Sequence, residues 1–227
     1  MRVSPFCNRG KFEHLCWGID RSNKIVELFK QMSGKRERII EAARELIGKF
    51  GFKKTTMEDI ARASRMAKAT IYHYFKSKEE IFKEIIDKEG ETLRFMLKKA
   101  IEGVDDPVKK IRIYTRVRFE YLSRLAIYYA TMREEYFQYL PFIRKEREKY
   151  NRFEINTLSQ IFEEGVKRGI FEIPDTRLYA FLILQAMQGL EYPLATGEAL
   201  KFEDRELTLE EALDVFLNIF IRGIRKN

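Results

Sequence analysis

A chain of 227 residues with 45% hydrophobic and 34% charged side chains has the apolar material for a folded core and is not disordered in composition. No apolar run approaches the roughly 20 residues of a membrane-spanning helix, and the N-terminus lacks the apolar stretch and cleavage site of a secretory signal, so a soluble, cytoplasmic protein without a membrane partner is expected. The net charge of +8 is uneven: residues 1–33 carry six Lys/Arg against three Asp/Glu, 34–78 twelve against five, and 79–227 twenty-five against twenty-seven, which points to a polyanion-binding module, with nucleic acid as its leading partner, joined to a near-neutral remainder.

Residues 1–33 form an N-terminal extension, read either as a short helix at SNKIVELFKQM or as a start-site artefact. They hold both cysteines, Cys7 and Cys16, with His14 and Trp17. Eight residues between the cysteines match no zinc pattern, so no metal is expected.

From residue 35 a helical period is plain. In KRERIIEAARELIGKFGF, Ile39, Ala43, Leu46, Ile47 and Phe50 recur at three- and four-residue steps, which predicts an amphipathic helix ended by a left-handed cap at Gly51. TTMEDIARAS predicts a second helix, with Thr55 or Thr56 as cap and Thr56 to Asp59 in capping-box form. It ends near Ala63, and a third helix begins near Ala67. Two short helices joined by a tight turn, after a longer one, make a helix-turn-helix.

GFKKTTMEDIARASRMAKATIYHYFKSKEEIF resembles the DNA-binding signature of the TetR family of bacterial transcriptional regulators. Gly51, Phe52, the Thr pair, Ile60, Ala61, Lys68, Tyr72, Tyr74, Phe75, Lys78 and Glu79 occur in the family's order. The resemblance implies an all-α protein, with a three-helix DNA-binding domain at 34–80 and a helical-bundle ligand-binding and dimerisation domain at 81–227. Recognition helices enter the major groove by their N-terminal residues. Lys68, Ala69, Thr70 and His73 are therefore expected at base edges, and Tyr72, Tyr74 and Lys78 at phosphates, with Ile71 and Phe75 facing inward. Lys53, with Lys54, and the hydroxyls of Thr55 and Thr56 are further expected backbone contacts. The chain departs from the family at Arg65, Ala67 and Ala69, where Gly, Ser and Gly are usual. Arg65 must take a left-handed conformation or permit a different turn.

The remainder reads as helices at about 78–101, 107–126, 127–139, 142–168, 175–195 and 208–225, with no convincing strand. Positions 108, 111, 115, 119, 122 and 126 form one stripe. Eleven aromatics fall within residues 110–153. They suit a packed core, and also a pocket between bundle helices. Candidate ligand contacts are Phe95, Tyr114, Arg118, Tyr121, Tyr128, Tyr129 and Tyr136. By resemblance, the last two helices pair with those of a second subunit, through Leu178, Phe181, Leu182, Gln185 and Leu190 and through Leu209, Leu213, Phe216, Leu217, Phe220 and Ile224. Such a homodimer presents two recognition helices about 34 Å apart to a palindromic double-stranded operator.

Phosphate-binding glycine motifs and H-E-x-x-H are absent, and two histidines leave little material for a nucleophilic triad. No enzyme and no cofactor are expected. Two readings of the helical domain remain: it binds a small apolar or amphipathic effector that releases a repressor from DNA, or it docks a protein partner.

Overall fold

The computed structural model describes residues 34–128, 136–190 and 200–226. Arg38–Asn227 forms one compact unit. The extension and its two cysteines lie outside the described residues, as do Tyr129 and the segment 191–199. Among the described residues there are eight helices and one small hairpin: α1 (Lys35–Phe50), α2 (Met57–Ser64), α3 (Lys68–Tyr74), α4 (Lys78–Ile101), α5 (Pro107–Tyr128), α6 (Tyr136–Lys167), α7 (Thr176–Leu190), β1 (Leu200–Phe202), β2 (Arg205–Leu207) and α8 (Leu209–Ile224).

The first three helices form where their caps allow. α1 buries Ile39, Ile40, Ala43 and Ile47, but Phe50, expected on this stripe, is exposed; the inward face turns toward Ile40 instead. Gly51, at φ 86°, ends the helix in a conformation that costs a side-chain-bearing residue dearly. Thr56 and Asp59 close a reciprocal capping box on α2. Arg65 takes the left-handed alternative, at φ 56° and ψ 45°, and its N–H reaches back to the last carbonyls of α2. Ala67 precedes α3 without a side-chain cap.

α4 joins two hydrophobic cores. Its 24 residues span roughly 36 Å at 1.5 Å per residue. Ile81, Phe82, Ile85 and Ile86 pack with Ile39, Ile47, Phe52, Ile60, Ile71 and Phe75. Leu93 and Leu97 pack with Ile111, Tyr114, Phe119, Leu158 and Phe162 and with the inner faces of α7 and α8. The stripe expected on α5 is buried at Ile111, Thr115, Phe119 and Leu122.

α6 reaches back toward the first core. Phe142 stacks on Phe82 with ring centroids 6.0 Å apart, Lys83 pairs with Glu146 at 2.9 Å, and Tyr150 donates to the Asp87 carbonyl at 2.8 Å. The Tyr150 ring lies so close to Gly90 that a Cβ there would meet it at 2.4 Å. The break expected between residues 139 and 142 is not found, because α6 runs through Pro141. The hairpin is also a departure from the sequence reading: Leu200 to Phe202 pairs antiparallel with Arg205 to Leu207, turning at Glu203 with φ 54°. Three-residue strands give no readable alternation.

Candidate nucleic-acid interface

One side of α3 is core and the other is solvent. Ile71 is fully buried and Phe75, at the helix end, nearly so. Lys68, Ala69, Tyr72 and His73 are exposed, and Thr70 and Tyr74 are half-buried. His73 and Tyr74 meet edge to face with centroids 5.3 Å apart. The exposed α3 face thus gathers the residues expected at bases and phosphates. Lys53, Lys54 and Thr56 are exposed before and at the start of α2.

Two expected contacts take different roles. Thr55 is buried, and its hydroxyl donates to the Gly51 carbonyl at 2.8 Å; it closes the α1–α2 loop rather than facing a phosphate. Lys78 lies in the first turn of α4 against that same loop. Its ammonium donates to the carbonyls of Phe52 at 2.8 Å, Thr55 at 3.0 Å and Lys53 at 3.3 Å, and sits 4.5 Å from the centroid of the Phe52 ring. An ammonium has three N–H donors, and all three are spent inside the protein. The Thr56 hydroxyl donates to Asp59 Oδ2 at 2.6 Å and accepts from the Asp59 N–H at 3.2 Å.

The sequence reading missed an acidic neighbour. The ammonium of Lys68, at the start of α3, donates to the Glu58 carboxylate in the first turn of α2. This contact lowers the Glu58 pKa and raises that of Lys68. Ten residues separate the two in sequence, so no local pattern announces the pair.

In the helical domain the candidate ligand residues do not line one wall. Tyr114 and Arg118 are fully buried; both donate to Glu154 Oε2 on α6, at 3.1 and 2.5 Å. Burial, then the Glu154 charge, pushes the Tyr114 phenol far up. Tyr121 donates to Glu89 Oε2 at 2.5 Å and to the Glu89 carbonyl at 3.0 Å. Burial and the Glu89 charge raise its pKa too. Phe95 is 54% exposed, because it falls on the outer side of α4, opposite Leu93 and Leu97; it walls no interior space. Tyr128, Tyr129 and Tyr136 lie outside the side chains described. An open groove of about 390 Å³ lies elsewhere, between α6 and α7, lined by Arg152, Ile155, Asp175, Arg177, Leu178 and Phe181.

The dimer face expected from sequence also divides. Leu178, Phe181, Leu182 and Gln185 on α7 are exposed, but Leu190 is half-buried against the core. On α8, Leu213, Leu217 and Ile224 are buried in the protomer's own core, and Leu209, Phe216 and Phe220 pack against it. The outward apolar residues of α8 are instead Val215 and Ile219.

Residues 39–85 match the family profile described as bacterial regulatory proteins, tetR family. The transcriptional regulator QacR of Staphylococcus aureus is 27% identical over 200 residues, covering 84% of this chain and 98% of QacR. A transcriptional regulator from Cytophaga hutchinsonii has the same fold, with a TM-score of 0.67 at 22% identity over 86% of this chain and all of the other. The fold of AibR, whose crystal structure holds isovaleryl coenzyme A and operator DNA, is also similar, with a TM-score of 0.53 at 21% identity over 82% of this chain and 97% of AibR.

Proposed function

The chain belongs to the TetR family of bacterial transcriptional regulators, and from that premise we propose that it is a repressor that binds a palindromic operator as a homodimer and is released by a small amphipathic effector. Residues 34–80 bind DNA and 81–227 carry the regulatory and dimerisation functions. The observation that carries this reading is the two-sided α3, which fixes Ile71 and Phe75 in the core and leaves Lys68, Ala69, Tyr72 and His73 in solvent. Thr70 and Tyr74 flank that face, and Lys53 borders it as a phosphate contact.

Dimerisation is assigned to the outer faces of α7 and α8, where Leu178, Phe181, Leu182, Val215 and Ile219 are large apolar groups in solvent. Large apolar side chains left in solvent on a helix face mark an interaction site. The effector is assigned to the bundle around Tyr114, Arg118 and Tyr121, where polar groups stand among the apolar side chains of the core. An acyl-type molecule is the first class to test, since AibR was crystallised with an acyl coenzyme A.

The test is to map the DNA fragments bound by the protein genome-wide. The recovered site is then titrated by fluorescence anisotropy with and without acyl thioesters. Recovery of a two-fold symmetric site whose affinity falls with an effector supports the proposal. Binding without sequence preference defeats it.

A further inference from the structure

Glu58 is an unexpected residue on a surface meant for DNA. It lies in the first turn of α2, half exposed, and its carboxylate is held by the Lys68 ammonium at the start of α3, also half exposed. A carboxylate facing the phosphate backbone is repelled by it, and an ion pair this exposed contributes little to stability. The neighbouring Asp59 is occupied by the α2 cap and by Arg62 at 3.3 Å, so Glu58 is the acceptor left beside the recognition helix.

An ammonium and a carboxylate side by side present a donor next to an acceptor. The major-groove edge of a C·G pair presents the complement: the cytosine N4 amino donor stands next to the guanine O6 and N7 acceptors. In a T·A pair the two acceptors flank the adenine amino group instead of lying together, and the thymine methyl occupies the outer edge. Only one ammonium hydrogen is used by Glu58, which leaves donors for both guanine atoms. The contact with Lys68 also keeps the carboxyl ionised, so that it can only accept.

We infer that Glu58 and Lys68 act as one unit that reads a C·G base pair in each half-site of the operator, Glu58 accepting from cytosine N4 and Lys68 donating to guanine O6 and N7. This rests on the proposed placement of α3 in the major groove.

The experiment is enrichment of a randomised duplex library with the full-length protein, repeated with Glu58→Gln, Lys68→Gln and Lys54→Gln. The wild type is expected to fix C·G at one position of each half-site. Glu58→Gln should lower the preference at that position about ten- to hundredfold and leave the other positions as they were. Lys68→Gln should act at the same position, whereas Lys54→Gln should weaken all sequences alike. Unchanged base preferences in Glu58→Gln would overturn the inference, as would a uniform gain in affinity for every duplex, the result of removing a carboxylate that only repels phosphate. In either case a symmetric wild-type site would leave the proposed function standing. Failure of the wild type to enrich any symmetric site overturns that function, and this inference with it.

Discussion

Arg44 Nε lies 2.7 Å from Glu89 Oε1, an ion pair that ties α1 of the helix-turn-helix to the middle of α4. The other oxygen of the same carboxylate accepts from Tyr121 on α5. One turn before Tyr121, on the same helix, Arg118 holds Glu154 of α6. Polar contacts thus tie α1 to α4 and α5, and α5 to α6.

Tyr121→Phe removes one donor from the half-buried Glu89 and should lower stability by about 1–3 kcal/mol in chemical denaturation. It should also change the response to pH. The folded pKa of Tyr121 is raised, so the folded chain keeps a proton that the unfolded chain releases above about pH 10. Stability from this group is complete below that pH and is lost as pH rises beyond it. The alkaline fall should therefore be shallower in Tyr121→Phe; equal slopes in the two proteins would refute this.

Arg65 occupies the left-handed region at the end of α2, where an L side chain costs roughly 1 kcal/mol or more and glycine does not. Arg65→Gly should raise the stability of the protein by about 1 kcal/mol, read from the denaturation midpoint. A loss of stability would mean that the arginine side chain makes a contribution larger than its backbone strain.

Ala67 precedes α3 in an extended conformation but offers no side-chain acceptor. Ala67→Ser should supply the missing cap and add about 0.5–2 kcal/mol. Amide hydrogen exchange within α3 should slow by the corresponding factor. Unchanged exchange there would show that the start of α3 gains nothing from capping.

Lys78, expected from sequence at a phosphate, has its ammonium against the loop between α1 and α2. With three carbonyls around its ammonium, Lys78→Met should lower the melting temperature and weaken DNA binding through the distorted loop. Salt dependence separates the roles: removing a phosphate contact reduces the slope of log affinity against log salt by about one. Lys54→Gln should show that change and Lys78→Met should not.

The helix-turn-helix was legible because its signals are local: Thr56 lies three residues from Asp59, Gly51 ends a periodic run, and Ile71 and Phe75 are one turn apart. The pairs Arg44–Glu89, Tyr114–Glu154 and Lys68–Glu58 were not, since each joins residues from different helices and nothing in the intervening sequence fixes the meeting. The same limit explains α8. Its apolar residues cover more than one face, and periodicity cannot tell which side meets the chain's own core; Leu213 and Leu217 proved to be inside, and Val215 and Ile219 outside.

That division yields the sharpest test of the dimer. Ile219 is 68% exposed in the protomer and Leu217 only 2%, although both lie on α8 two residues apart. A charge at position 217 is buried whether or not a second subunit is present, and an unpaired buried charge is severely destabilising; Leu217→Asp should unfold the helical domain. At position 219 a charge remains solvated in the monomer and is desolvated only on association. Ile219→Asp should therefore keep the helical circular dichroism and cooperative melting of a folded chain, appear as a monomer in light scattering, and lose binding to a two-half-site operator. A folded Ile219→Asp protein that stays dimeric would move the interface away from the outer face of α8, and with it the assignment of Val215 as its neighbour in that contact.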